Sequence, residues 1–318
     1  MTSVAPILLT TDQMASFVAR GYLRFDGVVP DAVNQKAMVD LPALLQSWVK
    51  QFVALSTGPG ATGSAATEHE FDEAAAMQTS NSGTPLYEAY GPETAFGQMI
   101  RVPEITGAIL SLVGAAPVFD HSFAHLKPPH DVSWQRLHCD AIVDPNTAFD
   151  IQLFWFPHDI APGAGGTRFV PGSHLRQAHN DDIGRYQHLA GDQYFTGVAG
   201  TVLIFHHGLW HAGAPNHSDQ LRVMGKLRIN PTTSQVRLWD TTDLDERNTH
   251  TENLFALSHN RTVASVLRER QPWYNEASYR HELVQRSKLW RYLSGDNKFD
   301  VDWYLTRQEM RQRIVSSL

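Results

Sequence analysis

One cysteine, Cys139, stands among the 318 residues, which rules out an intramolecular disulfide and leaves no set of thiolates for a closed structural zinc site. A single thiol also fits a reducing compartment. Basic character is scarce as well: 26 Lys and Arg face 33 Asp and Glu, a formal charge of -7. Binding to a phosphate backbone needs a concentrated cationic face, so nucleic acid is not an expected partner. The arginines that gather toward the C-terminus are mixed with glutamates and aromatics, the composition of a solvated helix face. No apolar run approaches the length that crosses a bilayer, and the opening MTSVAPILLTTDQMA carries neither a basic n-region nor an apolar stretch of signal-peptide length. These absences lead us to expect a soluble, cytoplasmic protein without membrane association.

What the chain does hold is apolar material for a sizeable core, 42% of its residues. We expect a single domain in three parts, 1–117, 118–231 and 232–318. The first is helical at its start: Thr10 or Thr11 caps a helix whose Met14, Phe17 and Val18 form a stripe, and Gly21 ends it. Tyr22 to Phe25 reads as a short strand. A second helix is expected from about Ala32 to Leu55, with Leu41, Leu44, Leu45, Trp48 and Phe52 on one side and Pro42 as a break or fresh start. GPGATGSAATEHE, Gly58 to Glu70, reads as a loop. A further helix is expected from Glu93 to Val113, ended by Gly114.

Between Val118 and Pro231 the pattern changes. VFDHSFAHL, DIQLFWF, GTRFV, TVLIFHH and LRVMGKLRI have strand length, and Pro or Gly bounds most of them. IQLFWF is apolar on both faces, as suits a strand covered on both sides. The fold class is therefore mainly β, an antiparallel sandwich or barrel with flanking helices. Beyond Pro231 helical patterns return, with Trp273, Trp290, Tyr292, Trp303 and Tyr304 as packing anchors. That extension is open to docking on the core, acting as a lid or making a homodimer contact.

The chemistry concentrates in two segments. In WQRLHCDAIVD, His138 and Asp140 are two residues apart, so on an extended segment both side chains leave one face and can meet one ion. In GTVLIFHHGLWHAGAPN an apolar strand runs into a His- and Gly-rich turn, where His206, His207 and His211 all compete as a third ligand. Two histidines and one carboxylate leave three coordination positions open, the facial arrangement of non-haem Fe(II) oxygenases. A keto-acid cosubstrate needs a cationic fork for its distal carboxylate, a task suited to Arg. Arg222 stands at the eleventh position after His211, and Arg228 shares its face by strand alternation.

Taken together in this order, HLKPPH, LHCD, GTRFVPGSH, GTVLIFHHGLWHAGAPN and Arg222 resemble the phytanoyl-CoA dioxygenase family over roughly Leu126 to Pro231, with a weaker echo in the opening helix and GYLRFDGVV. The resemblance implies a double-stranded β-helix (jelly-roll) core. It implies an enzyme using Fe(II), 2-oxoglutarate and O2, with His138, Asp140 and His211 on the metal and Arg222 on the cosubstrate carboxylate. Lys127 matches a lysine near the cosubstrate, with a surface or latch role as the alternative. Trp155 and Thr167 are further cosubstrate-pocket candidates, with packing in the sheet as the alternative. PGSH is a turn signature, and Cys139 should point away from the metal and pack. Asp140 argues against halogenation, for which such scaffolds carry a small residue in place of the carboxylate. The implied reaction is hydroxylation of an unactivated C–H bond in a small molecule, a specialised metabolite or amino-acid-like compound. An acyl-CoA hydroxylase and a non-catalytic jelly-roll binding protein are the alternatives.

Overall fold

The computed structural model describes residues 5–42, 81–140, 150–176, 178–185, 188–231, 238–242, 263–273, 276–296, 298 and 301. The opening helix, Thr11–Arg20, begins as its residue types require. Thr10 accepts from the Gln13 N–H while the Gln13 side chain reaches back to the Thr10 N–H, a reciprocal cap that satisfies two otherwise orphaned donors. Gly21 closes it in the left-handed region at φ 80°, where a Cβ would also collide with His174. The chain is helical again over 31–42. Leu44, Leu45, Trp48 and Phe52, the Gly58 to Glu70 segment, Trp303 and Tyr304 lie outside the described residues.

The single helix expected from Glu93 to Val113 is two, Ala95–Met99 and Pro103–Val113. Pro103 is the reason. Its ring drives Val102 into an extended conformation (φ -62°, ψ 130°), and proline then opens the next helix, where its missing N–H costs nothing. Gly114 ends that second helix as expected.

Among the described residues eight strands form two sheets. β1 (Tyr22–Phe25), β2 (Val118–Lys127), β3 (Ile151–Phe156), β6 (Thr201–His206) and β8 (Arg222–Asn230) make an antiparallel sheet in the order β1-β6-β3-β8-β2. β4 (Thr167–Phe169), β5 (Gln193–Tyr194) and β7 (His211–Gly213) make a smaller one in the order β5-β4-β7. This is the mainly antiparallel, helix-flanked class expected from the strand pattern, and the jelly roll that the family resemblance implies.

Strand alternation divides the interior. On β3, Ile151, Leu153 and Trp155 join the main core with the helices, while Phe154 and Phe156 join Ile160, Phe169, Phe195, Leu203, Phe205 and Met224 in a second cluster. Every residue of β3 is buried, because β6 and β8 flank it and side chains cover both faces. The main core also takes in Val263, Val266 and Leu267 and, from the helix Glu276–Ser294, Leu289, Trp290 and Leu293. Trp273 docks by donating its indole N–H to the Pro171 carbonyl at 3.1 Å. Among the described residues no helix is long and apolar enough to cross a membrane.

Candidate metal centre and cosubstrate pocket

His211 opens β7, and its backbone exchanges two hydrogen bonds with His138: His138 N to His211 O at 3.1 Å and His211 N to His138 O at 2.8 Å. The segment carrying His138 and Asp140 is therefore an isolated bridge on the β7 edge rather than a regular strand, and the extended phase still sends both side chains to one side. Their neighbour Cys139 borders the same cavity as they do, with its thiol 3.5 Å from Asn180 Oδ1. It packs with Leu137, Val170, Ile183, Trp210 and Ala212, and burial pushes its thiol up to about 11, so it stays an unreactive thiol. Asn180 clamps this position, accepting the Cys139 N–H at 2.9 Å and donating to the Cys139 carbonyl at 3.0 Å. Gln135 holds the facing strand by accepting the Gly213 N–H at 2.7 Å.

His138, Asp140 and His211 each offer a ligand atom, and these atoms lie within 4.8 Å of one another. The Nδ1 of His138 faces the Arg136 carbonyl and the Nδ1 of His211 faces the Leu209 carbonyl, both at 2.9 Å. A carbonyl only accepts, so each Nδ1 carries a proton and the Nε2 of a neutral ring keeps its lone pair. Those Nε2 atoms face the carboxylate, His138 to Asp140 Oδ1 at 3.5 Å and His211 to Oδ2 at 3.6 Å. Burial holds His211 down at about 3, hence neutral. For His138 burial acts the same way, but the hydrogen bond and charge of Asp140 outweigh it and raise its pKa. Burial opposes ionisation of Asp140, yet Lys226 and the histidines hold it well below the usual carboxylate range. A neutral His211 with a free Nε2, a His138 whose Nε2 proton a bound cation would displace, and an ionised carboxylate form a donor set that suits a divalent ion of the non-haem iron kind.

The three open onto a cavity of about 370 Å³, whose floor is a register-locked stripe. On β8, Arg222, Met224, Lys226 and Arg228 alternate inward, opposite Lys127, His125, Phe123 and His121 of β2. Arg222 lines the cavity and donates from Nη1 to the His125 carbonyl at 3.1 Å. Arg228 lines it too, but its guanidinium is engaged by Asp150 and, at 3.1 Å, by Asp120. Thr167 lines the cavity beside Met224.

Two candidates fall elsewhere. Trp155 does not reach the cavity: it projects from the opposite face of β3 to Phe154, is buried in the main core, and donates its indole N–H to Asn34 at 3.0 Å. Lys127 is not among the lining residues. Its ammonium bonds the carbonyl and hydroxyl of Ser133 at 2.8 and 3.2 Å and stands 3.5 Å from Asp131. It latches the segment that leads to His138. The cavity adds residues that sequence reasoning missed: Phe123, His125, Phe154, Lys226, Gln135 and Asn180. Strand parity with Arg222 is the signal that could have found Lys226. For His125, burial and the nearby Lys226 and Arg222 charges push the pKa well below its ordinary value.

A jelly roll carrying a His-Asp-His cluster, a cavity and an inward arginine is the arrangement of a non-haem iron oxygenase. The profile of the family described as phytanoyl-CoA dioxygenase (PhyH) matches residues 17–224. The chain belongs to that family, and so is an Fe(II)/2-oxoglutarate-dependent dioxygenase, an oxidoreductase whose cofactors are Fe(II), 2-oxoglutarate and O2. Among solved structures it is similar to the non-haem α-ketoglutarate-dependent carbocyclase SnoK from nogalamycin biosynthesis, with 18% identity and a TM-score of 0.51 over 72% of this chain and 87% of that one. That likeness shows a shared fold. Similarity extends to AviO1 from Streptomyces viridochromogenes (15% identity, TM-score 0.46, 71% and 96% covered). It extends also to EctD from S. alaskensis with 2-oxoglutarate and 5-hydroxyectoine (17%, 0.46, 76% and 80%). No curated protein matches the sequence.

Proposed function

We propose that this protein hydroxylates an unactivated C–H bond of a small molecule, a specialised metabolite or amino-acid-like compound. In this reading His138, Asp140 and His211 hold iron and Arg222 receives the distal carboxylate of 2-oxoglutarate. The observation that carries it is the tautomer lock. Both histidines spend Nδ1–H on a backbone carbonyl and aim Nε2 at Asp140 beside the cavity.

When bound, iron with 2-oxoglutarate and O2 supplies the oxidation that converts C–H to C–OH, with succinate and CO2 as coproducts. The chain supplies the rest. Arg222 offers a fork that stays charged and matches a carboxylate. Arg228 is committed to Asp120 and Asp150, which supports Arg222 as the cosubstrate anchor. Thr167, Met224 and His125 flank the way from Arg222 to the ligands. Phe123 and Phe154 line the cavity next to Asp140 and keep water from its walls. The substrate then occupies the side toward Phe123 and His121, away from Arg222. A volume of about 370 Å³ suits a small molecule.

The test is anaerobic titration of Fe(II) and 2-oxoglutarate into the purified protein, followed by the visible charge-transfer band of the chelate. A band in wild type that is lost in Asp140→Ala is the expected result. Folded, iron-loaded protein that shows no band would refute the reading and return the chain to a binding role on the same fold.

A further inference from the structure

Lys226 belongs to no role derived so far. Its side chain is 8% exposed, and its ammonium stands 2.6 Å from Asp140 Oδ2. Among the described residues Asp140 is its only hydrogen-bonding or ion-pairing partner. The stem is fixed by its place on β8, paired to Phe123 and Phe154 in the two flanking strands. The ammonium sits 5.6 and 5.3 Å from the centroids of those two rings. A buried cation held over two aromatic faces and aimed at one carboxylate oxygen is a placed group, since an unmatched ammonium here would be expelled or neutralised.

A carboxylate can meet a metal through one oxygen or both. A chelating cosubstrate and O2 together need three open positions, so a carboxylate that uses both oxygens closes one of them. We propose that Lys226 is a positioning residue that reserves Asp140 Oδ2, leaving only Oδ1 for the metal and thereby keeping the third position open. The proposal rests on the assignment of His138, Asp140 and His211 to iron. It accounts for why the lysine lies on the same face of β8 as Arg222, one turn of the alternation beyond Met224. It also predicts a signature that no packing role produces. Removing the ammonium withdraws a competing cation from Asp140 and frees its second oxygen, so the metal binds more tightly. The freed oxygen then competes with 2-oxoglutarate for the open positions, so the cosubstrate binds more weakly.

Cobalt(II), and then 2-oxoglutarate on the cobalt-loaded protein, would be titrated calorimetrically into wild type and Lys226→Met, which keeps the length and apolar stem. The expected result is cobalt affinity raised at least threefold with 2-oxoglutarate affinity lowered at least tenfold. Both affinities unchanged, or both lowered together, overturns the proposal. If Lys226→Met does not fold, Lys226→Gln, which retains a donor without the charge, should show the same opposed shifts at smaller size, and parallel shifts would again refute it. Failure of wild type itself to bind cobalt, or of its cobalt form to bind 2-oxoglutarate, would sink the iron assignment on its own, a result separable from any behaviour of the variants.

Discussion

Two groups of histidines lie close together in this fold, and only one is equipped for chemistry. His138 and His211 stand 4.6 Å apart by ring centroids. At the end of β6, His206 stacks on His207 at 4.5 Å and meets His174 at 5.0 Å. All of these except His138 have pKa values depressed by burial. The difference lies in what the backbone offers Nδ1. In the first pair it meets carbonyls, so Nε2 of the neutral ring keeps a lone pair. In His206 the backbone partner is the Gly208 N–H at 3.0 Å, so the proton moves to Nε2, while His207 Nδ1 stands between the Asp150 N–H at 2.8 Å and the Asp150 carbonyl at 3.1 Å. Local main-chain direction thus distinguishes the candidate ligand His211 from His206, five positions before it.

The largest effect expected from this contrast is on turnover. His138→Ala or His211→Ala should abolish metal binding and metal-dependent oxidation while leaving the fold in place. His207→Ala should retain metal binding but lose roughly 2–5 kcal/mol of stability, the usual cost of emptying a buried site. Metal titration beside thermal melts separates the two, and loss of metal binding in His207→Ala would break the division.

Next in size is a charge effect. Asp140→Ala removes the partner of buried Lys226, and breaking such a pair costs roughly 3–5 kcal/mol in the metal-free protein. Adding Lys226→Met should recover most of it, and denaturant melts of the single and double variants would show a shortfall. Arg222→Ala should weaken 2-oxoglutarate binding by roughly 1.5–3 kcal/mol while sparing stability. Arg228→Ala should do the reverse, because it takes the guanidinium from Asp150 and leaves Asp120 with His121 as its ion-pairing neighbour. Calorimetry that found Arg228→Ala to be the cosubstrate mutant would reverse the assignment.

The smallest effect is a slope. Burial lowers His174 from 6.5 to about 3. Above pH 6.5 neither the folded nor the unfolded chain charges this ring. Between there and 3 the unfolded chain takes a proton that the folded chain refuses, so stability falls as pH falls. His174→Gln, which keeps a donor for the Val18 carbonyl, should flatten the fall across that window in pH-dependent denaturation. An unchanged slope would mean that other groups carry it.

Much of this was legible before any coordinates. A cap at Thr10 or Thr11, the Gly21 stop, the five strand runs and the His138–Asp140 pair follow from local chemistry, while the choice of His211 over His206 and His207 came from the family resemblance. Trp155 was not legible, because IQLFWF carries large apolar residues on both faces, and its one polar residue, Gln152, does not tell whether Phe154 or Trp155 faces the cavity. Lys127 and Arg222 are cross-strand partners, yet the lysine is captured by Ser133, a contact set by the turn after β2. Lys226 and Asn180 act on Asp140 and Cys139 across long stretches of chain, and sequence proximity is silent about such pairings.

The reciprocal backbone bridge between His138 and His211 has a consequence for biosynthesis. His211 lies 73 positions after His138, so a ribosome that has delivered the first two ligands has delivered an incomplete site. The third ligand arrives on a strand edge that must first find β4 and then seat His138 beside it. In the proposed reading iron meets all three ligands only where β7 has paired with β4 and with the His138 segment, so metal loading and closure of the second sheet are thermodynamically linked.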